Sequence, residues 1–293
     1  MKHTSFNPNG GHVMAYKTIL VSLNELGRLP QLLGAAATAA RSSNAHVSGL
    51  YVIPAVQLYP SMGFEAVPQT FDGNRIYFKD NEEKVRASFE DAMKKEALSF
   101  DFHSVDGATP SIAEEVVNKG RSADLIIVSA TNSEETTGVE SDFVEQILMA
   151  AGRPILVLPF KGDAKLNLND IVLGWNGERE AARAAFDALP FLKAAKKVRI
   201  VRTDPQKDAS LKGSVAGADL AETLARHGVK AEATSFPTPG DDAGHALLRC
   251  ADDNGCDLIV MGAYGHSRLR EYIFGGATQF MLSHLNRPVL LSH

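Results

Sequence analysis

Short runs of β-branched and other apolar residues alternate along the chain with stretches whose apolar residues recur at i, i+3, i+4 and i+7. The first pattern predicts strands buried on both faces, the second amphipathic helices. In the C-terminal part the strands are predicted at Ile171–Trp175, Val198–Val201, Lys230–Phe236, Leu258–Met261 and Val289–Leu291. Between them, Ala182, Ala185, Phe186 and Leu189 form one helical stripe, and Ala243, Ala246, Leu247 and Cys250 another. The N-terminal part repeats this with Leu33, Ala36, Ala37 and Ala40, and with Val85, Phe89, Ala92 and Met93. Strands alternating with helices in this way predict βαβ units around a parallel sheet.

The two parts are copies of one pattern. "ADLIIVSATNSEETTGVESDFVEQILMAAGRPILVLP" from Ala123 matches "CDLIVMGAYGHSRLREYIFGGATQFMLSHLNRPVLLS" from Cys256, with Asp124 opposite Asp257 and Arg153-Pro154 opposite Arg287-Pro288. "TILVSLNE" from Thr18 returns in outline as "DIVLGWNGE" from Asp170. A repeat on this scale predicts two tandem domains, residues 14–161 and 168–293, each an open five-stranded parallel sheet flanked by helices. Residues 1–13 lack periodicity and precede a second methionine, Met14, so they read as a leader or an over-called start. The polar segment from Lys161 to Asp170 is too short and too poor in Gly and Ser for a flexible tether, which predicts packed domains. The main asymmetry is a stretch rich in Pro, Gly and aromatics, Pro54 to Asp80, expected to be a long loop.

Composition narrows the function classes. The chain has 293 residues, 44% hydrophobic and 22% charged, with a net charge of -5. That charge offers no basic footprint for nucleic acid or an anionic membrane. The sequence carries no apolar run of the ~18 residues that a membrane span needs. With two cysteines, Cys250 and Cys256, and no secretory signal, a cytoplasmic location is expected. The cysteines are six apart, which fits no zinc spacing, and Cys250 lies on an apolar stripe, so a buried thiol is expected. Asp252, Asp253 and Asp257 read as solvated acids around an Asn254-Gly255 turn rather than a metal cluster.

The chemistry-bearing segment is "MGAYGHSRLREYIFGGAT". Gly262, Gly265 and Gly275 stand as G-x2-G-x9-G, starting where a predicted strand ends. Phosphate oxygens are cradled by backbone N–H groups, and glycine lets the backbone approach without a Cβ in the way. Gly275-Gly276-Ala277-Thr278 then opens a helix, whose N-terminus offers free N–H groups and partial positive charge. The alternative reading is that the glycines only make turns and a cap.

On these residues the chain resembles the universal stress protein family, in particular its ATP-binding branch, whose loop reads G-x2-G-x9-G-(S/T). The resemblance runs from Met14 to His293 in two copies. It implies two Rossmann-like domains of the adenine nucleotide alpha hydrolase-like type. It also implies ATP, with or without magnesium, on Gly262, Gly265, Gly275 and Gly276, beside Met261 and Ala277. The family's acidic residue after the first strand is replaced by Asn176 here, and by Asn24 in the N-terminal half. Asparagine adds a donor and drops the charge. Gly276 stands where the family has Ser or Thr, a hydroxyl whose loss costs ~1.5–3 kcal/mol, for which Thr278 or the Gly276 N–H could stand in. His266 could touch phosphate or relay a proton, or simply face solvent; Ser267 and Arg268 continue the loop.

The N-terminal twin of this loop has Ser129, Asn132 and Ser141 in place of the three glycines, together with Glu134, Glu135, Glu140 and Asp142. Carboxylates there would repel a polyphosphate, so one site per chain is expected. The resemblance further implies pairing of the last strands, Ile155–Leu158 with Val289–Leu291, within one chain, and leaves a homodimer open. Tyr59, Phe64, Phe71, Tyr77 and Phe78 in the insertion are expected to staple it to the domain, or else to line an apolar pocket. The leading expectation is a stress-response or signalling protein that acts by binding ATP. A slow ATPase using His266 or Ser267, and a nucleotide-free scaffold using the insertion, are the alternatives. Gly262→Asp is expected to abolish binding without unfolding the protein.

Overall fold

The computed structural model describes residues 15–56, 70–131, 138–161, 165–202, 217–234, 243–265 and 276–293, with the side chains of 70–72 left aside. The N-terminal half runs β1 (Thr18–Ser22), α1 (Leu29–Ser43), β2 (His46–Ile53), α2 (Thr70–Lys95), β3 (Phe100–Asp106), α3 (Ile112–Gly120), β4 (Leu125–Ser129), α4 (Phe143–Ala150) and β5 (Ile155–Leu158). The C-terminal half runs β6 (Asp170–Trp175), α5 (Arg179–Asp187), α6 (Leu189–Ala194), β7 (Lys197–Arg202), α7 (Ala218–Arg226), β8 (Ala231–Thr234), α8 (Ala243–Asp253), β9 (Leu258–Gly262), α9 (Gly276–Ser283) and β10 (Val289–Ser292).

The described strands join one sheet in the order β3-β2-β1-β4-β5-β10-β9-β6-β7-β8. Within each half neighbouring strands are parallel; only β5 and β10 run antiparallel, with Val289 opposite Val157, Leu290 opposite Leu156 and Leu291 opposite Ile155. The last strands therefore pair within the chain, as the resemblance implies. Central strands such as β4 and β5 are buried throughout, which explains why they read as unbroken apolar runs rather than alternating ones. Across the seam, the Tyr16 hydroxyl donates to the Asp187 carbonyl at 2.7 Å, and its ring packs edge-on to Phe191.

The repeat extends to hydrogen bonding. Asp124 accepts from the backbone N–H groups of Lys17 and Thr18 at the start of β1, and Asp257 accepts from those of Asn169 and Asp170 at the start of β6. Asp257 is thus a strand cap rather than one of a set of solvated acids, and Asp252 pairs with Arg287. Both cysteines are buried, and burial pushes the Cys250 thiol up to about 11.

Two expectations change. Pro54 to Asp80 is not one long loop, because α2 begins at Thr70 and runs to Lys95. Tertiary contacts explain this start: Arg75 forms a two-pronged ion pair with Asp106, and buried Phe78 packs edge-on to Tyr51, whose hydroxyl donates to the Phe78 carbonyl. Phe78 is the staple expected of the insertion's aromatics. Tyr77 is substantially exposed; Tyr59, Phe64 and the Phe71 side chain lie outside the described residues. The second change is in α5, which buries Ala181, Ala184 and Ala185 while Phe186 faces solvent. An alanine-rich helix offers several equivalent stripes, and the break at Ala188 before α6 decides between them. The stripes assigned to α1, α2 and α8 face the core.

Candidate functional site

In each half the chain leaves the first strand toward one side of the sheet and the fourth toward the other. A cleft opens where neighbouring connections diverge in this way, at the C-terminal ends of the strands. In the C-terminal half that point lies between β6 and β9, and a cavity of about 220 Å³ occupies it. Asn176 after β6, Met261 and Gly262 at the end of β9, Gly265, and Gly276, Ala277 and Thr278 at the start of α9 all line it. These residues are separated by up to a hundred positions in sequence and meet because two strand ends and one helix start converge here. His266, Ser267, Arg268 and Gly275 lie outside the described residues.

Asn176 is half-buried, and its Oδ1 accepts from the Glu178 N–H at 3.0 Å, closing a tight turn into α5. Its amide NH₂ adds a donor that a carboxylate in this place would lack. Thr278 is buried and its hydroxyl accepts from the Tyr264 N–H at 3.2 Å. It ties the loop to α9 and keeps its O–H to donate into the cavity that it lines. Tyr264 itself has φ of +55°, the left-handed conformation that non-glycine residues seldom adopt, and the Thr278 bond helps to hold it there. Its phenol is pushed up by burial and then by the charge of Glu145 on α4 of the other half.

Gly262 has a role the sequence does not disclose. A Cβ on it would lie 2.5 Å from the Ala181 nitrogen and 2.8 Å from the Glu180 Cβ, and closer still to the Glu180 carbonyl carbon. The missing side chain lets the first turn of α5 rest directly on the end of β9. This alters the expected outcome of Gly262→Asp, whose side chain would displace α5 as well as oppose phosphate. Around Gly276, by contrast, nothing lies within 4 Å of an added Cβ.

Sequence reasoning missed Glu180. It is buried, 5% exposed, and lines the cavity from the first turn of α5. Its carboxylate pairs with Arg179, and its Oε2 sits 3.3 Å from where a Cβ on Gly265 would be. Burial alone would push its carboxyl up, but bonds from Arg179 and its own backbone, with the charges of Arg179 and His293, hold it below the usual range. The available signal was its spacing, four residues after Asn176, which places it one turn inside the helix that opens there. Gly174, Ala181, Ala243, Leu247 and Tyr264 complete the lining, mostly apolar.

At the corresponding point in the N-terminal half, the described polar side chains bond within the protein. Asn24 is buried and locked to β2: its Oδ1 accepts from the Val52 N–H at 3.0 Å and its Nδ2 donates to the Val52 carbonyl at 2.7 Å. Glu140 turns inward, with Oε1 accepting from the first N–H groups of α3, Ile112 at 2.6 Å and Ala113 at 3.4 Å. Asp142 accepts from Gln146, and Glu134 and Glu135 lie outside the described residues. Among the described residues no group of three His, Cys, Asp or Glu is placed to hold a metal ion, and no helix is long and apolar enough to cross a membrane.

The cleft with its glycine wall can be set beside known proteins. Residues 167–293 match the universal stress protein family. Universal stress protein Slr1230 of Synechocystis is 28% identical over 153 residues, 50% of this chain and 49% of that protein. Universal stress protein MJ0577 of Methanocaldococcus jannaschii is 36% identical over 45 residues, 15% of this chain and 28% of that protein. The chain thus spans half or less of the length of these curated relatives. A universal stress protein structure from Archaeoglobus fulgidus superposes over 94% of this chain and 95% of its own with a TM-score of 0.69 at 14% identity, a likeness of fold. The universal-stress-type half therefore carries the family's sequence pattern, and the whole chain an α/β architecture found among its structures.

Proposed function

We propose that the universal-stress-type half binds an adenine nucleotide, ATP, at the β6–β9 cleft, one per chain, and that the protein acts through this binding rather than through turnover. One observation carries the reading: Gly262, Gly265 and the start of α9 converge with Asn176 on a single cavity at the divergence point of the sheet. Backbone N–H groups at a helix start and a glycine-walled strand end suit phosphate. Leu247, Met261 and Ala181 give an apolar wall for the less polar part of a nucleotide. The described residues enclose about 220 Å³ of the cavity.

A single site follows from the asymmetry between the halves. Asn24, the counterpart of Asn176, has its amide bonded on both sides to Val52, and Glu140 is turned onto the start of α3. Isothermal titration with ATP and magnesium should give one ATP per chain; two or none refutes the proposal. A steady-state phosphate-release assay on the same material should stay at background, and sustained release would replace binding with hydrolysis. The division into domains of residues 14–161 and 168–293, and a stress-response role, belong to the same proposal. Expression of residues 168–293 alone, followed by the same titration, tests the domain boundary.

A further inference from the structure

The nucleotide reading leaves one cavity residue unexplained. Glu180 puts a carboxylate against the loop glycines that are to hold phosphate. It is buried, and its Oε2 lies beside Gly265. A group hydrogen-bonded to the Gly265 backbone, at ~3 Å, is an immediate neighbour of that carboxylate. Arg179, whose side chain is 80% exposed, holds Oε1 from the solvent side, and Oε2 is the oxygen left turned toward Gly265. Gly262 seats the Glu180 backbone on the end of β9, which fixes where this side chain starts. A carboxylate accepts hydrogen bonds and binds cations, and it has nothing to offer an unprotonated phosphate.

Resting on the nucleotide reading, we propose that Glu180 selects the charge of the ligand: the site rejects a bare polyphosphate and admits one whose charge a divalent cation has neutralised. Glu180 supplies a carboxylate oxygen to that cation, a hard donor of the kind magnesium takes together with substrate phosphates. The cleft then distinguishes the metal complex of a nucleotide from the free anion. No other described carboxylate lines the cavity.

The test is titration of the full chain with ATP in excess EDTA, ATP with magnesium, and adenosine, comparing wild type with Glu180→Gln and Glu180→Asp. The wild type should bind the magnesium complex at least tenfold more tightly than metal-free ATP. In Glu180→Gln that ratio should fall to threefold or less, mainly because metal-free ATP binds better, while Glu180→Asp keeps a ratio near that of wild type. Adenosine, which has no charge, should bind wild type and Glu180→Gln alike. A wild-type ratio near one, a ratio unchanged in Glu180→Gln, or an equal gain for adenosine overturns the proposal. Failure of the wild type to bind either form of ATP or adenosine overturns the nucleotide reading instead, and this inference with it. Thermal melts of the variants report whether each is folded; if Glu180→Gln does not fold, Glu180→Asp decides, and loss of the magnesium preference in a folded Glu180→Asp counts against the proposal.

Discussion

Gly262→Ala isolates the structural demand on the loop from its chemical one. The added methyl would start 2.5 Å from the Ala181 nitrogen and 2.8 Å from the Glu180 Cβ. Unstrained carbon contacts lie near ~3.5 Å, so α5 must withdraw by about 1 Å. The atoms in the way are largely backbone, and α5 is pinned by buried Ala184 and Ala185 behind it, so no side-chain rotation relieves the clash. Overpacking of this kind costs ~1–3 kcal/mol. At ~2–4 °C per kcal/mol for a chain of this size, the melting temperature should fall by about 2–12 °C. Circular dichroism melts without ligand provide the measurement. Gly276→Ala is the matched control, because its added methyl meets nothing within 4 Å; its melting temperature should stay the same or rise slightly, as a helical Gly→Ala change does. Equal melting temperatures for wild type and Gly262→Ala would refute the close-packing account and return Gly262 to a purely ligand-facing role.

Other outcomes follow from the same geometry. Asn24→Ala removes both partners of the Val52 peptide groups, which at ~1–3 kcal/mol for each buried unpaired group should lower stability by several kcal/mol, visible in urea unfolding. Asn176→Ala should leave stability within ~0.5 kcal/mol and weaken nucleotide binding in calorimetry. Gly276→Ser restores a hydroxyl at an open helix start and should tighten ATP binding about tenfold, the equivalent of ~1.5 kcal/mol. The Cys250 thiol, raised by burial from 9.0 to about 11, should resist alkylation in the folded protein at pH 8. Since its folded value lies above its unfolded one, the stability it contributes is complete below pH 9 and is lost as pH rises toward 11. Unfolding midpoints measured across that window should fall, and a flat profile would count against the assignment.

Much of this molecule was legible in its residues. The internal repeat located both halves, and Asp124 and Asp257, found by aligning them, turn out to do the same work at the start of β1 and β6. Strand cores were recoverable because both faces are buried, which removes the ambiguity of alternation. The start of α2 was not, because a stretch rich in Pro, Gly and aromatics reads as loop, and the contacts that hold this segment come from β2 and β3, dozens of residues away. The facing of α5 failed for a different reason: the alanine pairs 181–182 and 184–185 fit more than one stripe, which leaves the pattern degenerate. At the site, the glycines and Asn176 were visible as a motif, but Glu180 was not, since nothing local shows that the first turn of α5 presses on the end of β9. Gly262 was read for its ligand when its first neighbour is a helix.

The antiparallel seam between β5 and β10 joins the halves through three residue pairs in one polypeptide. Two separate chains meeting on the same strands would part on dilution, whereas a tether sets the local concentration of one strand near the other whatever the amount of protein present. Assembly therefore asks nothing of the binding site. One half can hold its polar groups in internal hydrogen bonds and remain docked to the other as a permanent partner.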